Sequence, residues 1–399
     1  MRFPGWFTLP PFPINLMPDP LAWIDDESTA WRSRGLSRSL VSLEGSTPGR
    51  VIRDGRSLVN FASNDYLGLA NDRRVIAAAA ASAEAHGWGS GASPLVSGWT
   101  EAHEALAVAL AKYESVEAVA LFPSGFAANL GAISALVGPA DVVYLDRLNH
   151  ACLIDGARLS RAKLRVYPTG DVNRLETLLE RDQGKFRRSL IATDGVFSMD
   201  GNIAPLGDLA DLAQRFGTML LVDEAHGTGV FGPTGRGASE HCGVLDRVDV
   251  KVGTLSKALG SLGGFVAGSR RLVNWLINHA RPLVYSTSLP APAASAAHRA
   301  LEIIQAEPWR RSAVLDRSKV VRDQVAGLGP GIFGPIVPMI LGAPDRALAV
   351  AEQLLKHGFL VPAIRPPTVP DGTARLRISL SAGHDPADVD RLVAVLKTI

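Results

Sequence analysis

The sequence predicts an α/β protein: a large domain with a mostly parallel sheet between helices, followed by a small C-terminal α+β domain. Three observations carry this. Short apolar runs alternate with helical patterns from about residue 60 to 290. Successive runs are separated by enough chain for a crossover helix, which parallel strands require. After about residue 290 the rhythm changes to long helices and a few strands. The predicted divisions are 1–59, an extension and a segment packing on the small domain; 60–290, the large domain; and 291–399, the small domain.

In chain order, the opening stretch MRFPGWFTLPPFPINLMPDP carries prolines at 4, 10, 11, 13, 18 and 20. They interrupt any apolar helix, so a flexible extension is expected there and not a targeting segment. RRVIAAAAASAEAHG (73–87) is an alanine-rich helix stopped by glycine, and GWGSGASPLVSG (87–98) is a glycine-rich loop. Thr100 opens TEAHEALAVALAKYE, with apolar residues at helical spacing and Glu in the first turn. AVALF (118–122), DVVYLD (141–146), LRVYP (164–168), SLIATD (189–194) and MLLVD (219–223) are strands, with helices at 125–137, 172–181 and 205–216 between them. A helical region at 291–328, a strand in IVPMIL, a helix at 344–357, a strand in ARLRISLSA and a helix at 386–397 complete the chain.

Composition narrows the function classes. The 399 residues are 47% hydrophobic and 20% charged, with a net charge of +2. That balance argues against a nucleic-acid or membrane surface, and no run reaches the roughly 18 apolar residues of a bilayer span. The two cysteines, Cys152 and Cys242, stand in no metal-ligand spacing. A reduced, cytoplasmic protein without a metal is expected.

One motif poses the functional question. MLLVDEAH (219–226) is an apolar strand ending in two carboxylates and a histidine. A helicase-type NTPase has such a strand, but it also needs a GxxxxGK[ST] loop to cradle phosphates. The only Gly-Lys pair, Gly184-Lys185, is followed by phenylalanine. A different chemistry follows from VGTLSKALGSLGG (252–264), where Lys257 sits among small residues just after an apolar strand. Most lysines in loops merely reach for solvent. A desolvated one whose neutral amine is accessible suits condensation with a carbonyl.

Pyridoxal 5′-phosphate unites these pieces, because it needs a lysine amine, a carboxylate for its pyridine nitrogen and an anion site for its phosphate. Asp223, at the C-terminal end of its strand, supplies the carboxylate, at the edge where ligands gather in open α/β sheets. LFPSGFAANLGA supplies the anion site: Ser124 caps a helix that begins with Gly125 and Phe126 and has no acidic residue in its first turn. Thr254 adds a hydroxyl three residues before the lysine.

In this order, NFASNDYLGLA (60–70), GSGASPLVSG (89–98), FPSGFAANLGA (122–132), DRLNHACLIDG (146–156), TDGVFSMDGNIAPL (193–206), VDEAHGTGVFGPTGRG (222–237), GTLSKALGSLGG (253–264) and YSTSLPA (285–291) resemble the α-oxoamine synthases, pyridoxal phosphate enzymes of fold type I. The likeness covers roughly residues 36 to 399. AIRPPTVPDGTARLRISLSAGH (363–384) is most similar to the pimeloyl-condensing members.

The resemblance implies roles. His150 stacks over the pyridine ring. His226 and Ser198 hydrogen-bond near the cofactor's phenolic oxygen or the substrate carbonyl. Glu224 has no role and faces away, since a strand alternates sides. Ser286 and Thr287 reach the phosphate of a neighbouring subunit, which makes the active unit a homodimer with shared sites. Asn64 lines the substrate entrance, and Arg38 is the candidate for an N-terminal arginine that helps hold the acyl chain. Arg377 would grip the amino-acid carboxylate with its planar fork, against the plain reading of a strand arginine with its charge in solvent. Arg365 would act on the acyl substrate or on closure of the small domain. Pro94 departs from the family, several members of which carry arginine there. The implied reaction is a decarboxylative condensation of an amino acid with an acyl thioester, best matched by L-alanine and a pimeloyl group on coenzyme A or a carrier protein. Members using glycine or serine, and an aminotransferase of the same fold, are the alternatives.

Overall fold

The computed structural model describes residues 19–47, 49–325, 328 and 334–399. Most of the proline-rich opening stretch, for which a flexible extension is expected, therefore lies outside the described residues. Seven strands form the main sheet in the order Ala118–Phe122, Gly264–Gly268, Val250–Thr254, Met219–Asp223, Ser189–Asp194, Val142–Asp146, Lys163–Tyr167. Six of the seven run where the sequence predicts strands, the sixth being the apolar run just before Lys257. Gly264–Gly268 is the strand that spacing does not announce, because two of its five residues are glycine. It pairs antiparallel with both neighbours, whereas the pairs from Val250–Thr254 outward are parallel.

Alternation along the central strands builds two cores. Leu220 and Val222 pack into one apolar cluster and Leu221 into the other, one on each face of the sheet. Helices cover both faces, and their ends follow the local signals. Asp72 caps Arg73–His86, which Gly87 stops at φ 78°. Thr100 caps Glu101–Glu114 together with His103. Residues 94–98 of the predicted glycine-rich loop wind into one wide helical turn beginning at Pro94.

The predicted helix over 291–328 is two helices, Ala291–Ala306 and Trp309–Gln324. Pro308 explains the break: it lacks the N–H that an uninterrupted helix would need there. Positions 326 and 327 of that prediction lie outside the described residues. Residues 44–60, expected only to pack on the small domain or begin the large one, form the strands Glu44–Thr47, Arg50–Arg53 and Arg56–Asn60. The last of these pairs in parallel with Phe359–Leu360, so the N-terminal segment joins a sheet with the C-terminal region. A three-stranded sheet, Ile336–Gly342, Ala374–Ser379 and Ala363–Ile364, completes that region. Its central strand is tied to the large unit where Ser379 N–H donates to Phe61 O at 2.8 Å and Ala382 N–H to Tyr66 O at 2.8 Å. These two bonds set Arg377 opposite Asn64 and Tyr66.

Candidate active site

Several segments converge at the C-terminal ends of the central strands. Asp223 ends its strand with its carboxylate buried. Its Oδ1 accepts from Ala225 N–H at 2.8 Å, and its Oδ2 accepts from the Asn129 amide at 2.7 Å. Glu224, one residue on, points to the other side, as alternation requires. It accepts from Ala238 N–H (2.7 Å), Ser239 N–H (2.7 Å) and Ser239 Oγ–H (2.6 Å), and so caps the short helix Ala238–His241. Gly237 makes room for that cap: a Cβ there would lie 2.3 Å from Glu224 Oε2, and its φ is 108°.

Lys257 lies in the loop after Val250–Thr254, half-buried, with Nζ 2.8 Å from His226 Nε2. Burial pushes its amine down to about 8; the Asp223 charge opposes this and Arg377 adds to it. At such a value a large share of the side chains is neutral near pH 8, the state a nucleophilic or proton-accepting amine needs. His226 is buried, and desolvation together with the Lys257 charge holds it well below the usual imidazole range. Its Nδ1 is 2.6 Å from Tyr66 Oη.

The donors assign this network. Tyr66 O–H donates to Asn64 Oδ1 at 3.1 Å, so His226 Nδ1–H donates to the Tyr66 oxygen and Nε2 is left to accept from Lys257. Burial raises the Tyr66 phenol above its ordinary range, which keeps that proton in place.

Arg377 closes the cluster from the small sheet. The solvent-facing reading fails: the whole strand Ala374–Ser379 is buried, and Arg377 is 5% exposed. Its Nε donates to Ser198 O at 2.6 Å, its Nη1 to Asn64 Oδ1 at 2.9 Å and to Ser379 Oγ at 2.8 Å, and its Nη2 approaches Tyr66 Oη at 3.4 Å. The donors of Nε and Nη1 are thus engaged. Nη2 is the end with hydrogen left for a carboxylate, so the two-point grip expected from a free fork becomes a one-ended one unless Asn64 releases Nη1.

The helix start expected to hold a phosphate is capped and free of acid. Ser124 caps Gly125–Leu136 by accepting from Ala127 N–H at 3.1 Å, with no acid in the first turn. Gly264, in the strand next to the edge, lets the start of this helix approach closely, since a Cβ there would lie 2.5 Å from Gly125 N. Thr254 Oγ1 donates to Gly263 O at 3.0 Å and accepts from Ser256 N–H at 3.2 Å. Its proton therefore braces the lysine loop. Phe126 is exposed, edge-on to the His150 ring at 6.4 Å.

His150 caps Ala151–Ser160 on the rim. Its backbone N–H donates to Asp194 Oδ2 at 2.7 Å. Asp194 is fully buried beside Asp223, and burial and that neighbouring charge raise its carboxyl well above the ordinary range.

The remaining predicted residues lie elsewhere. Arg365 donates to the carbonyls of Gly35 and Ser37, and Arg38 Nη2 donates to Thr368 Oγ1 at 2.9 Å. Both line a cleft of about 560 Å³ between residues 32–39 and 363–368. Ser286 and Thr287 follow the short helix Arg281–Val284, in a segment tied to the glycine-rich loop by Ser288 N–H donating to Ala92 O at 2.9 Å. Sequence reading missed Tyr66, Asn129 and Asp194. Each lies inside a quoted motif, but nothing in a motif says which way a side chain turns.

The residues present fit pyridoxal phosphate. A depressed amine, a buried and fixed acid and an unopposed helix N-terminus meet at one edge, and the buried Asn129 Oδ1 is left without a partner among the described residues.

The model of the class I and II aminotransferase family matches residues 56–396. The chain is 50% identical over 383 residues to the 8-amino-7-oxononanoate synthase of Anaeromyxobacter dehalogenans, a match that covers 95% of this chain and 96% of that protein. Among solved structures, a serine palmitoyltransferase from Sphingomonas wittichii superposes with a TM-score of 0.89 at 30% identity, covering 95% of this chain and 98% of that one. The 8-amino-7-oxononanoate synthase of Francisella tularensis gives 0.73 at 28% identity, covering 86% and 97%.

Proposed function

The chain belongs to the class I and II aminotransferase family and, within it, to the 8-amino-7-oxononanoate synthases, and from that membership we propose that it condenses L-alanine with a pimeloyl thioester. The products are 8-amino-7-oxononanoate, CO₂ and the free thiol, a step of biotin synthesis. The observation that carries the reading is the Lys257 amine, depressed to about 8 and held at 2.8 Å by a neutral His226 beside Asp223 and Arg377.

Bound pyridoxal phosphate supplies the electron sink that lets the amino acid's α-carbon give up a proton. The chain's own residues do the rest. Lys257 exchanges that proton, its amine kept close to neutral by burial. Asp223 would hold the pyridine nitrogen, its carboxylate fixed by Ala225 N–H and the Asn129 amide. Arg377 draws the substrate carboxylate to Nη2, which orients the α-carbon bonds. His226, its Nδ1–H spent on Tyr66, holds Lys257 in place through Nε2. His150, on the rim, would cover the ring. The Arg365–Arg38 cleft is assigned to the acyl arm, and the pair Ser286 and Thr287 to the phosphate of a second subunit.

The likeness to a serine palmitoyltransferase supports a second reading, serine with another acyl thioester. A panel of amino acids against acyl thioesters, scored for CO₂ and thiol together, separates the two. Turnover with alanine and pimeloyl thioester is expected to dominate; thiol release without CO₂ would overturn both. For the shared site, inactive Lys257→Ala and Thr287→Ala chains should recover activity on subunit exchange. No recovery with exchange demonstrated would put each site within one chain.

A further inference from the structure

Asn129 takes no direct part in the reaction, yet it occupies an expensive position. It lies in Gly125–Leu136, one turn inside the cradle helix, and is 1% exposed. Ala128 and Ala132 beside it belong to the apolar core. An amide buried there costs desolvation that an apolar side chain of the same size would not, and Oδ1 recovers nothing for it among the described residues.

What the amide does have is on its nitrogen. Nδ2 donates to Asp223 Oδ2 at 2.7 Å, and it is steadied by its own helix through Gly125 O at 3.3 Å. Cys152 Sγ lies 3.2 Å from the same nitrogen and 4.0 Å from Asp223 Oδ2. A flipped amide would set its oxygen against the Asp223 carboxylate, so this orientation is the stable one. Helix packing leaves Asn129 little freedom: a Cβ on Gly156 of the next helix would lie 3.3 Å from its backbone carbonyl oxygen.

We propose that Asn129 is the positioning residue of Asp223. With Ala225 N–H holding Oδ1, its amide holds Oδ2, so the carboxylate plane is set from both ends before any ligand arrives. The proposal rests on the reading of Asp223 as the acid that faces the pyridine nitrogen.

The test compares Asn129→Asp and Asn129→Leu with the parent, measuring pyridoxal phosphate affinity of the apo protein and the absorbance of the bound form from pH 6 to 8.5. Both readouts are independent of turnover. At pH 8 the Asn129→Asp variant sets two carboxylates against each other, and its affinity should fall tenfold or more. At pH 6 that pair takes up a proton, which the introduced carboxyl donates to Asp223 as the amide did, and affinity should approach the parent's. The Asn129→Leu variant has no donor at any pH and should stay weak throughout. Asp194, His150, Cys152 and Lys257 also face the pair, but they are common to all three proteins, so the comparison isolates position 129. If the Asn129→Leu variant does not fold, the Asn129→Asp profile alone decides. An Asn129→Asp variant whose affinity and spectrum follow the parent's pH profile overturns the proposal. Asp223→Asn, run in parallel, tests the underlying reading separately: parent-like affinity and spectrum in that variant would remove the role of Asp223, whatever position 129 does.

Discussion

The end of the strand Met219–Asp223 presents an acid on each side, and each side also holds a lysine, Lys251 buried and Lys257 half-buried. On one side Glu224 accepts three hydrogen bonds, and nearby Lys251 donates to the Glu114 carboxylate and the Arg236 carbonyl. On the other, Asp223 accepts two, and Lys257 meets the neutral His226. Both acids are buried, so their burial does not distinguish the two sides. The difference is closure. Glu224 and Lys251 spend their bonding capacity on the protein itself, while Lys257 keeps an amine that costs little to deprotonate and Asp223 takes only one N–H donor on each oxygen. A closed acid–lysine region is costly to break; an open one is available for chemistry.

The largest effect that can sharpen this contrast is at Lys257. Lys257→Ala should reduce coupled CO₂ and thiol release by roughly 10³-fold or more, since both its amine and its proton transfer are lost. The thermal midpoint should change little. Retained turnover would erase the difference between the two lysines.

Asp223→Asn should cost roughly 10²-fold in kcat, because an amide does not hold a pyridine nitrogen protonated. Glu224→Gln should keep most of kcat but lose about 1–3 kcal/mol of stability, because its NH₂ would face the backbone donors of Ala238 and Ser239. Steady-state rates and denaturant midpoints for the pair decide it. Equal losses of activity would mean that both sides serve the reaction.

Arg377→Lys should raise the Michaelis constant for the amino acid roughly 10- to 100-fold, the value of a charge-assisted bond of about 1.5–3 kcal/mol, and the thioester's far less. Varying each substrate in turn measures the split. An unchanged amino-acid constant would leave Arg377 a brace between Ser198 and Asn64.

Lys251→Met is the mirror case, with parent-like kcat but a destabilised fold. Burial already raises the Glu114 carboxyl, with Lys251 opposing; without the lysine it rises further. An acid with a raised folded pKa binds more protons folded than unfolded, so its stability contribution is full below the unfolded value and lost as pH rises through the folded one. The deficit, about 3 kcal/mol at pH 8, should therefore shrink towards pH 5. Urea midpoints at the two pH values test it. A deficit independent of pH would show that Glu114 does not carry the cost.

The strands and their helices were legible because apolar alternation and capping are local. Thr100, Ser124 and Asp223 sit where their neighbours in sequence place them, and Gly87 stops its helix as a glycine should. Gly264–Gly268 was not legible, since its glycines give no β signal and only pairing on both sides makes it a strand. Nor was the break at Pro308 evident within an otherwise helical stretch.

The sequence by itself determined most of the order of elements and the family; residue type and near spacing pointed to Lys257 and Asp223, and the roles expected of the two histidines came with the family resemblance. Only the tertiary structure decided the pairings that span the chain. It buried Arg377 against Asn64, 313 residues away, and turned its Nη1 inward. It set Asn129 on Asp223 across 94 residues, and it moved Arg365 and Arg38 to a separate cleft. It also separated Lys251 from Lys257, near neighbours in one strand and loop, into a closed ion pair and an open amine. The physical reason is that a hydrogen bond or a desolvated charge depends on what arrives from elsewhere in the chain, and local spacing carries no record of that arrival.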